Sequence, residues 1–207
     1  MHFLITAGGT REYIDPVRFI SNASSGKMGY ALAKAAVKAG HKVTLISTVT
    51  NMQKPAGTKV IHVETSGEMF EAVKKNFDKC DCLIMAAAVS DYKPVKTSRQ
   101  KFKKDSGELV IKLKPTTDIL KWAGSKKNKG QLVVGFALET GNVQKYAEGK
   151  LIEKKMDMVV ANKPAAIGAE ESTVWIKTKD SKWGKVENTS KAVIARKIIR
   201  QVERFKN

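Results

Sequence analysis

Short apolar runs alternate along this chain with segments of helical length, and that alternation narrows the fold more than any other feature. Residues 2–6 (HFLIT) read as a buried strand ending at Gly8-Gly9. Residues 28–39 (MGYALAKAAVKA) read as an alanine-rich helix stopped by Gly40. Strands follow at Lys42–Ser47 and, shorter, at 59–63, and Ser66–Phe77 reads as a helix starting at a serine cap. Residues 82–89 (CLIMAAAV) make a fourth buried run. A strand at 132–137, a helix near 143–155 and a strand at 158–161 repeat the unit, before a strand at 172–177 and a terminal helix at 190–205. Strands separated by helices of this length pair in parallel through crossover connections. The expected fold is therefore α/β: a Rossmann-like, doubly wound, mainly parallel sheet, with residues 1–207 as a single domain.

One segment breaks the rhythm. Residues 99–104 and 109–113 frame Asp105-Ser106-Gly107 and read as a lysine-rich β-hairpin inserted in the α/β unit, either a flap or an exposed edge protected by its lysines. It lies where the charge is densest. The chain carries 38 basic and 20 acidic side chains, a formal +18, and residues 93–129 alone hold 12 basic against 3 acidic groups. Such a surface attracts anions: phosphorylated metabolites, nucleotides or a polyanion. Single-strand nucleic-acid binding needs interleaved aromatics, and only Tyr92, Phe102 and Trp122 are available there, on different elements, so no nucleic-acid partner is expected. No apolar run reaches membrane-spanning length, and Cys80 and Cys82 are too close together for an easy disulfide. A cytoplasmic protein without a membrane partner is the expectation.

Ligands of open α/β sheets bind beyond the carboxyl ends of the strands, and four such segments stand out. In the first, Gly8 and Gly9 permit a tight turn and close backbone approach, and Ser24 or Ser25 can cap the next helix, whose free amides suit an anion. The distance from strand to helix is too long for a dinucleotide fingerprint, and the second strand ends in Ser47-Thr48 without a ribose-binding acid. In the second, Ala86-Ala87-Ala88 allow a flat or ribose-bearing ligand to approach, while Asp91 can accept hydroxyl hydrogen bonds or simply cap a turn. The third is the lysine run that starts at Lys101. The fourth carries Phe136, able to stack on a base or to fill core, with Lys150 and Lys154 on one face of the following helix. The histidines, His2, His41 and His62, are scattered, and neither a metal cluster nor a nucleophile elbow is legible. What remains is chemistry by positioning and cation clamps.

Taken in order, ITAGGTRE-IDPVRFISN-SSGKMG, AAAVSDYKP, KFKK, DIL, VGFALET and KL-EKK-D-VVAN resemble the bacterial phosphopantothenoylcysteine synthetases, the phosphopantothenate–cysteine ligases of coenzyme A synthesis. The resemblance is dense over residues 1–162 and looser beyond. It implies that the carboxylate of 4′-phosphopantothenate attacks the α-phosphate of CTP. The amine of L-cysteine then opens the resulting acyl-cytidylate, with Mg²⁺ accompanying the nucleotide. By motif it assigns Ala87, Asp91, Lys101, Thr117, Asp118, Ile119, Leu120, Phe136, Lys150 and Lys154 to the nucleotide. Gly8, Gly9, Arg18, Asn22, Ser25 and Gly26 fall to the other substrate, and Asn22 and Lys101 to catalysis. It further implies a homodimer, and a decarboxylase partner in trans, since nothing of the decarboxylase half found in bacterial fusions is read in this chain. Two departures stand out: Pro115-Thr116-Thr117-Asp118-Ile119 replaces the usual Asn-Pro-Asp-Ile, and the loop over residues 163–171 is atypical. An NADP-dependent reductase is the competing reading. It would explain the α/β rhythm and Gly8-Gly9 but leaves Asn22 and the KFKK run without a role.

Overall fold

A computed structural model describes residues 1–104 and 107–205. Its strands and helices follow in the order β1 (His2–Ala7), β2 (Arg11–Tyr13), β3 (Phe19–Ser21), α1 (Lys27–Lys38), β4 (Lys42–Ser47), β5 (Thr58–His62), α2 (Ser66–Phe77), β6 (Cys82–Met85), β7 (Tyr92–Pro94), β8 (Leu113–Pro115), α3 (Ile119–Lys126), β9 (Leu132–Leu138), α4 (Val143–Glu153), β10 (Met158–Asn162), β11 (Glu171–Thr178), β12 (Gly184–Ser190) and α5 (Lys191–Glu203).

Eight strands form one sheet in the order β12-β11-β10-β9-β6-β1-β4-β5. The six from β5 to β10 are parallel, and β11 and β12 add an antiparallel hairpin at one edge. Counted along the chain, the parallel strands run 3-2-1-4-5-6, the doubly wound order of dinucleotide-binding folds, with its reversal between β1 and β6. The α/β expectation is borne out. Strand β1 is central and fully enclosed from Phe3 to Ala7, which is why its sequence is apolar without alternation. Phe3 and Ile5 meet α1 and α5 on one face, while Leu4 meets α2, α3 and α4 on the other. Among the described residues no helix is long and apolar enough to cross a membrane.

Several expectations need correction. The lysine-rich hairpin over 99–104 and 109–113 does not form. Its turn residues Asp105 and Ser106 lie outside the described residues, and among the described residues neither 99–104 nor 109–112 joins a ladder. The excursion is instead closed at its base, where β7 and β8 pair antiparallel from Tyr92 opposite Pro115 to Pro94 opposite Leu113. Leu109 and Val110 are exposed and have no apolar surface to pack on, and an isolated two-stranded ribbon is marginal without one. Helix α2 is capped by Thr65, not Ser66: Thr65 accepts from the Glu68 amide and Glu68 reaches back, a reciprocal capping box. Neither Ser24 nor Ser25 caps α1; its N-cap is Gly26, in the left-handed region at φ 76°. The fourth strand stops at Met85, because Ala86 to Ala88 leave the ladder to meet the first loop, with only an isolated bridge from Ala88 to Gly9.

Candidate functional site

A cavity of about 560 Å³ opens at the carboxyl ends of β6, β9 and β10, beside the point where the strand order reverses. Twelve of the sequence-predicted residues line it: Asn22, Ser25, Gly26, Ala87, Asp91, Thr117, Asp118, Ile119, Leu120, Phe136, Lys150 and Lys154. They come from five separate stretches of chain, so only the fold brings them together.

The floor is made of small residues, Ala86 to Ala88, that leave space a larger side chain would fill. Their backbone is tied to the first loop: the Ala88 amide donates to the Gly8 carbonyl at 2.8 Å and the Ala87 amide to Thr6 Oγ1 at 3.1 Å. Asn22 follows β3 and donates through Nδ2 to the Val89 carbonyl at 3.1 Å and, at the longer distance of 3.5 Å, to the Ala88 carbonyl. That amide group lies in the cavity wall, within reach of a ligand. On the opposite side, Asp118 caps α3 by accepting from the Lys121 amide at 2.9 Å, and Lys154 Nζ approaches its other oxygen to 2.9 Å. Burial resists ionisation of Asp118, but the hydrogen bonds from Lys154 and the Lys121 amide outweigh it and hold the carboxyl below its usual range. Lys150 Nζ lies 2.7 Å from Glu139 Oε1, an ion pair.

Four predicted residues stand outside the lining. Gly8 and Gly9 form the layer beneath it. Gly8 has φ 87°, and a Cβ there would stand 2.0 Å from Thr48 Oγ1; one on Gly9 would stand 2.6 Å from the Asn22 carbonyl oxygen. Gly8 therefore serves close packing against Thr48, and Gly9 close packing of the Asn22 loop. Arg18 donates through Nη1 to Asp15 Oδ2 at 2.6 Å and to the Phe102 carbonyl at 3.2 Å. Lys101 is exposed beside that contact and does not reach the cavity wall in this structure.

Sequence reasoning missed the hub behind Arg18. Asp15 is inaccessible to solvent and accepts from the amides of Val17 and Arg18 at 2.7 Å each, from the Phe102 amide at 3.1 Å and from the Arg18 guanidinium. Burial alone would raise its carboxyl. The Val17, Phe102 and Arg18 amides and the guanidinium outweigh that and lower it to about 2. This one carboxylate ties the β2–β3 loop to the segment carrying Lys101. Also missed were Lys27, Asn162, the 166–168 rim, Ser172 and Lys191 in the cavity wall. Asn162 at a strand's carboxyl end is a signal that could have been used. Lys191 has none, because it arrives from a helix 164 positions after Lys27.

Fold and cavity together define a protein of dinucleotide-fold topology with a lysine-rich ligand site at its switch point. The model of the DNA/pantothenate metabolism flavoprotein C-terminal domain matches residues 1–205. The coenzyme A biosynthesis bifunctional protein CoaBC of Bacillus subtilis (strain 168) is 43% identical over 206 residues, covering 97% of this chain and 50% of that protein. A crystal structure of the C-terminal domain of CoaBC superposes with a TM-score of 0.87 at 41% identity, covering 99% of this chain and 95% of that one. A mutant of Cab2 in complex with phosphopantothenate-cysteine shares the fold at a TM-score of 0.82 and 18% identity, covering 99% and 87%. The chain belongs to the DNA/pantothenate metabolism flavoprotein C-terminal domain family. It spans about half the length of the curated relatives it matches.

Proposed function

We propose that this chain is a phosphopantothenate–cysteine ligase that activates 4′-phosphopantothenate with CTP and joins it to L-cysteine. The observation that carries this reading is the convergence of twelve motif residues on one cavity at the switch point. In the first step a carboxylate oxygen of phosphopantothenate attacks the α-phosphorus of CTP, the bond to the β-phosphate breaks, and pyrophosphate leaves. In the second the cysteine nitrogen attacks the acyl carbon, the bond to the cytidylate oxygen breaks, and CMP leaves as the nitrogen gives up a proton to solvent. Neither step needs a side-chain nucleophile. Both need two anions held against their mutual repulsion, which is work for fixed cations and amide donors.

Each residue then has a task. Ala86 to Ala88 admit the ribose and Asp91 accepts from its hydroxyls. Phe136 stacks on the base, with Lys150, Lys154 and the α3 N-terminal turn from Thr117 to Leu120 around it. The Asn22 amide gives up its long contact with the Ala88 carbonyl and donates to the acyl oxygen as charge develops there. Lys101, on the excursion closed by β7 and β8, supplies charge to the leaving pyrophosphate once that segment moves over the cavity. Mg²⁺ travels on the nucleotide phosphates, whose oxygens supply most of its coordination. A homodimer and a decarboxylase partner in trans belong to the same proposal.

The 3-2-1-4-5-6 strand order also favours a nicotinamide-dependent reductase, but residues 8–26 replace the short glycine-rich elbow with a β2–β3 hairpin. The deciding experiment incubates the protein with phosphopantothenate and Mg²⁺ plus CTP, ATP or GTP, with and without cysteine, and measures pyrophosphate and amide. CTP-dependent pyrophosphate release with cysteine-dependent amide is expected. Protection against heating by NADPH but not by CTP would transfer the chain to the reductases.

A further inference from the structure

The cavity has cations at both ends, and the two ends are built differently. Lys150 and Lys154 each face their own carboxylate, Glu139 and Asp118. At the other end Lys27, first residue of α1, and Lys191, first residue of α5, hold the rim segment 166–172 between them. Lys27 Nζ donates to the Gly168 carbonyl at 3.2 Å and pairs with the Glu170 carboxylate. Lys191 Nζ donates to the Ala166 carbonyl and to Ser172 Oγ, both at 3.1 Å, and has no ion-pair partner among the described residues. Burial first, and then the charge of Lys27, lower the proton affinity of Lys191, and Glu170 restores only part of it.

Two ammonium groups therefore meet one rim with a single carboxylate between them, on Glu170 and paired with Lys27 alone, which leaves a local excess of positive charge. That carboxylate is poorly committed: the Glu170 side chain is 85% exposed, so water replaces its contact readily. Lysines at a solvated edge need no cavity, whereas these two line the same one as Phe136 and Asn22.

We propose that Lys27 and Lys191 form an anion subsite for a phosphate-bearing substrate, and that Glu170 occupies it internally until the substrate's phosphate displaces it. Phosphate offers up to two negative charges and several acceptor oxygens in place of one carboxylate, so it can satisfy both ammonium groups at once. On the ligase reading, on which the identity of the ligand rests, that phosphate is either the polyphosphate of CTP or the 4′-phosphate of phosphopantothenate. Displacing Glu170 removes one of the two contacts by which Lys27 holds the rim, so occupancy and rim movement are linked.

The test is calorimetric titration of the full chain with CTP, 4′-phosphopantothenate and inorganic tripolyphosphate, using wild type, Lys27→Met, Lys191→Met and Glu170→Gln. Each lysine variant is expected to weaken a phosphate ligand by about 10-fold, the scale of one lost charge-assisted hydrogen bond. Glu170→Gln, an exposed substitution that leaves folding alone, is expected to tighten the same ligand by roughly 3-fold at low salt, an increase that a merely structural contact would not yield. Loss with CTP and tripolyphosphate but not phosphopantothenate assigns the nucleotide chain; the reverse pattern assigns the substrate's phosphate. Unchanged affinities in both lysine variants, or weaker binding in Glu170→Gln, overturn the subsite. A wild type that binds neither CTP nor phosphopantothenate sinks the ligase reading instead, and the tripolyphosphate titration then decides the subsite alone: lysine-dependent binding sustains it, and no binding removes it.

Discussion

The first loop, residues 8–26, and the excursion from 95 to 112 both leave the sheet near its switch point, yet they are built on opposite principles. The first loop is anchored by enclosed polar groups. Thr10 exchanges hydrogen bonds with Ser90, Glu12 accepts from the Ser66 amide at 2.8 Å, and Asp15 gathers three amides and a guanidinium. The excursion carries exposed Leu109 and Val110 and many lysines, and it is moored through Ser98 to Ile14, Thr97 to Tyr13 and Phe102 to Asp15. These three moorings all belong to the first loop. A rigid loop thus presents Asn22 at a fixed place, and a lightly held one carries Lys101 beside it, outside the cavity. Fixed donors suit an acyl oxygen that must be met accurately; a movable cation suits a leaving group that must later escape.

The largest effect should come from the fixed region. Asn22→Asp replaces an amide donor by an acceptor and a negative charge, and amide formation should slow on the order of 10²–10³-fold while pyrophosphate release persists at a residual rate. Mass spectrometry of quenched mixtures should find the acyl-cytidylate accumulating. Normal amide production by the variant would remove Asn22 from the mechanism and, with it, the contrast between the two regions.

Next is the movable region. Lys101→Gln should slow pyrophosphate release on the order of 10²-fold with little change in melting temperature, because its charge matters most in the transition state. If Lys101 never closes over the cavity, rates will be unaltered.

The mooring itself comes third. Asp15→Asn keeps the shape but gives up the charge, and it should lower both melting temperature and activity, the latter by about 10-fold. The carboxyl lies near 2 in the folded protein against 3.8 as its ordinary value, so it stabilises the wild type above about pH 4. That contribution should be lost as the pH falls toward 2, and the variant's acid limb should be flatter over this interval. Parallel acid limbs in urea melts would deny Asp15 its role. The smallest effect is expected at Lys104→Gln, below about 3-fold, since a lysine two positions past the Phe102 mooring has no fixed partner to lose. Equal effects at Lys101 and Lys104 would show the excursion acting through net charge only.

Legibility in the sequence followed burial. Strands β1, β4, β6 and β10 are enclosed on both faces and announce themselves as apolar runs, and α1 does so by its alanines. Strands β2 and β3 do not: REY and FIS are short, and β3 is exposed along its length, so period-2 alternation has nothing to record. The cap of α2 was displaced by one residue because Thr65 and Ser66 are both capping types, and only the reciprocal bond with Glu68 separates them. The hairpin expected at 99–113 had strand-like residues but no surface to cover.

What the sequence by itself determined is the alternating α/β order, the strand-end position of the small and acidic residues, and the family to which their motifs belong, because those depend on near neighbours and on which side chains must avoid water. Tertiary structure alone decided the convergence. Asp15 meets Phe102, Asn22 meets Val89, and Lys27 meets Glu170 across as many as 143 positions. Such pairings leave no local trace, since an aspartate or lysine at a loop or helix end reads the same whether it faces water or another charge. Only the crossover geometry of a twisted parallel sheet, which carries successive strand ends to one side, determines which of them share a cavity.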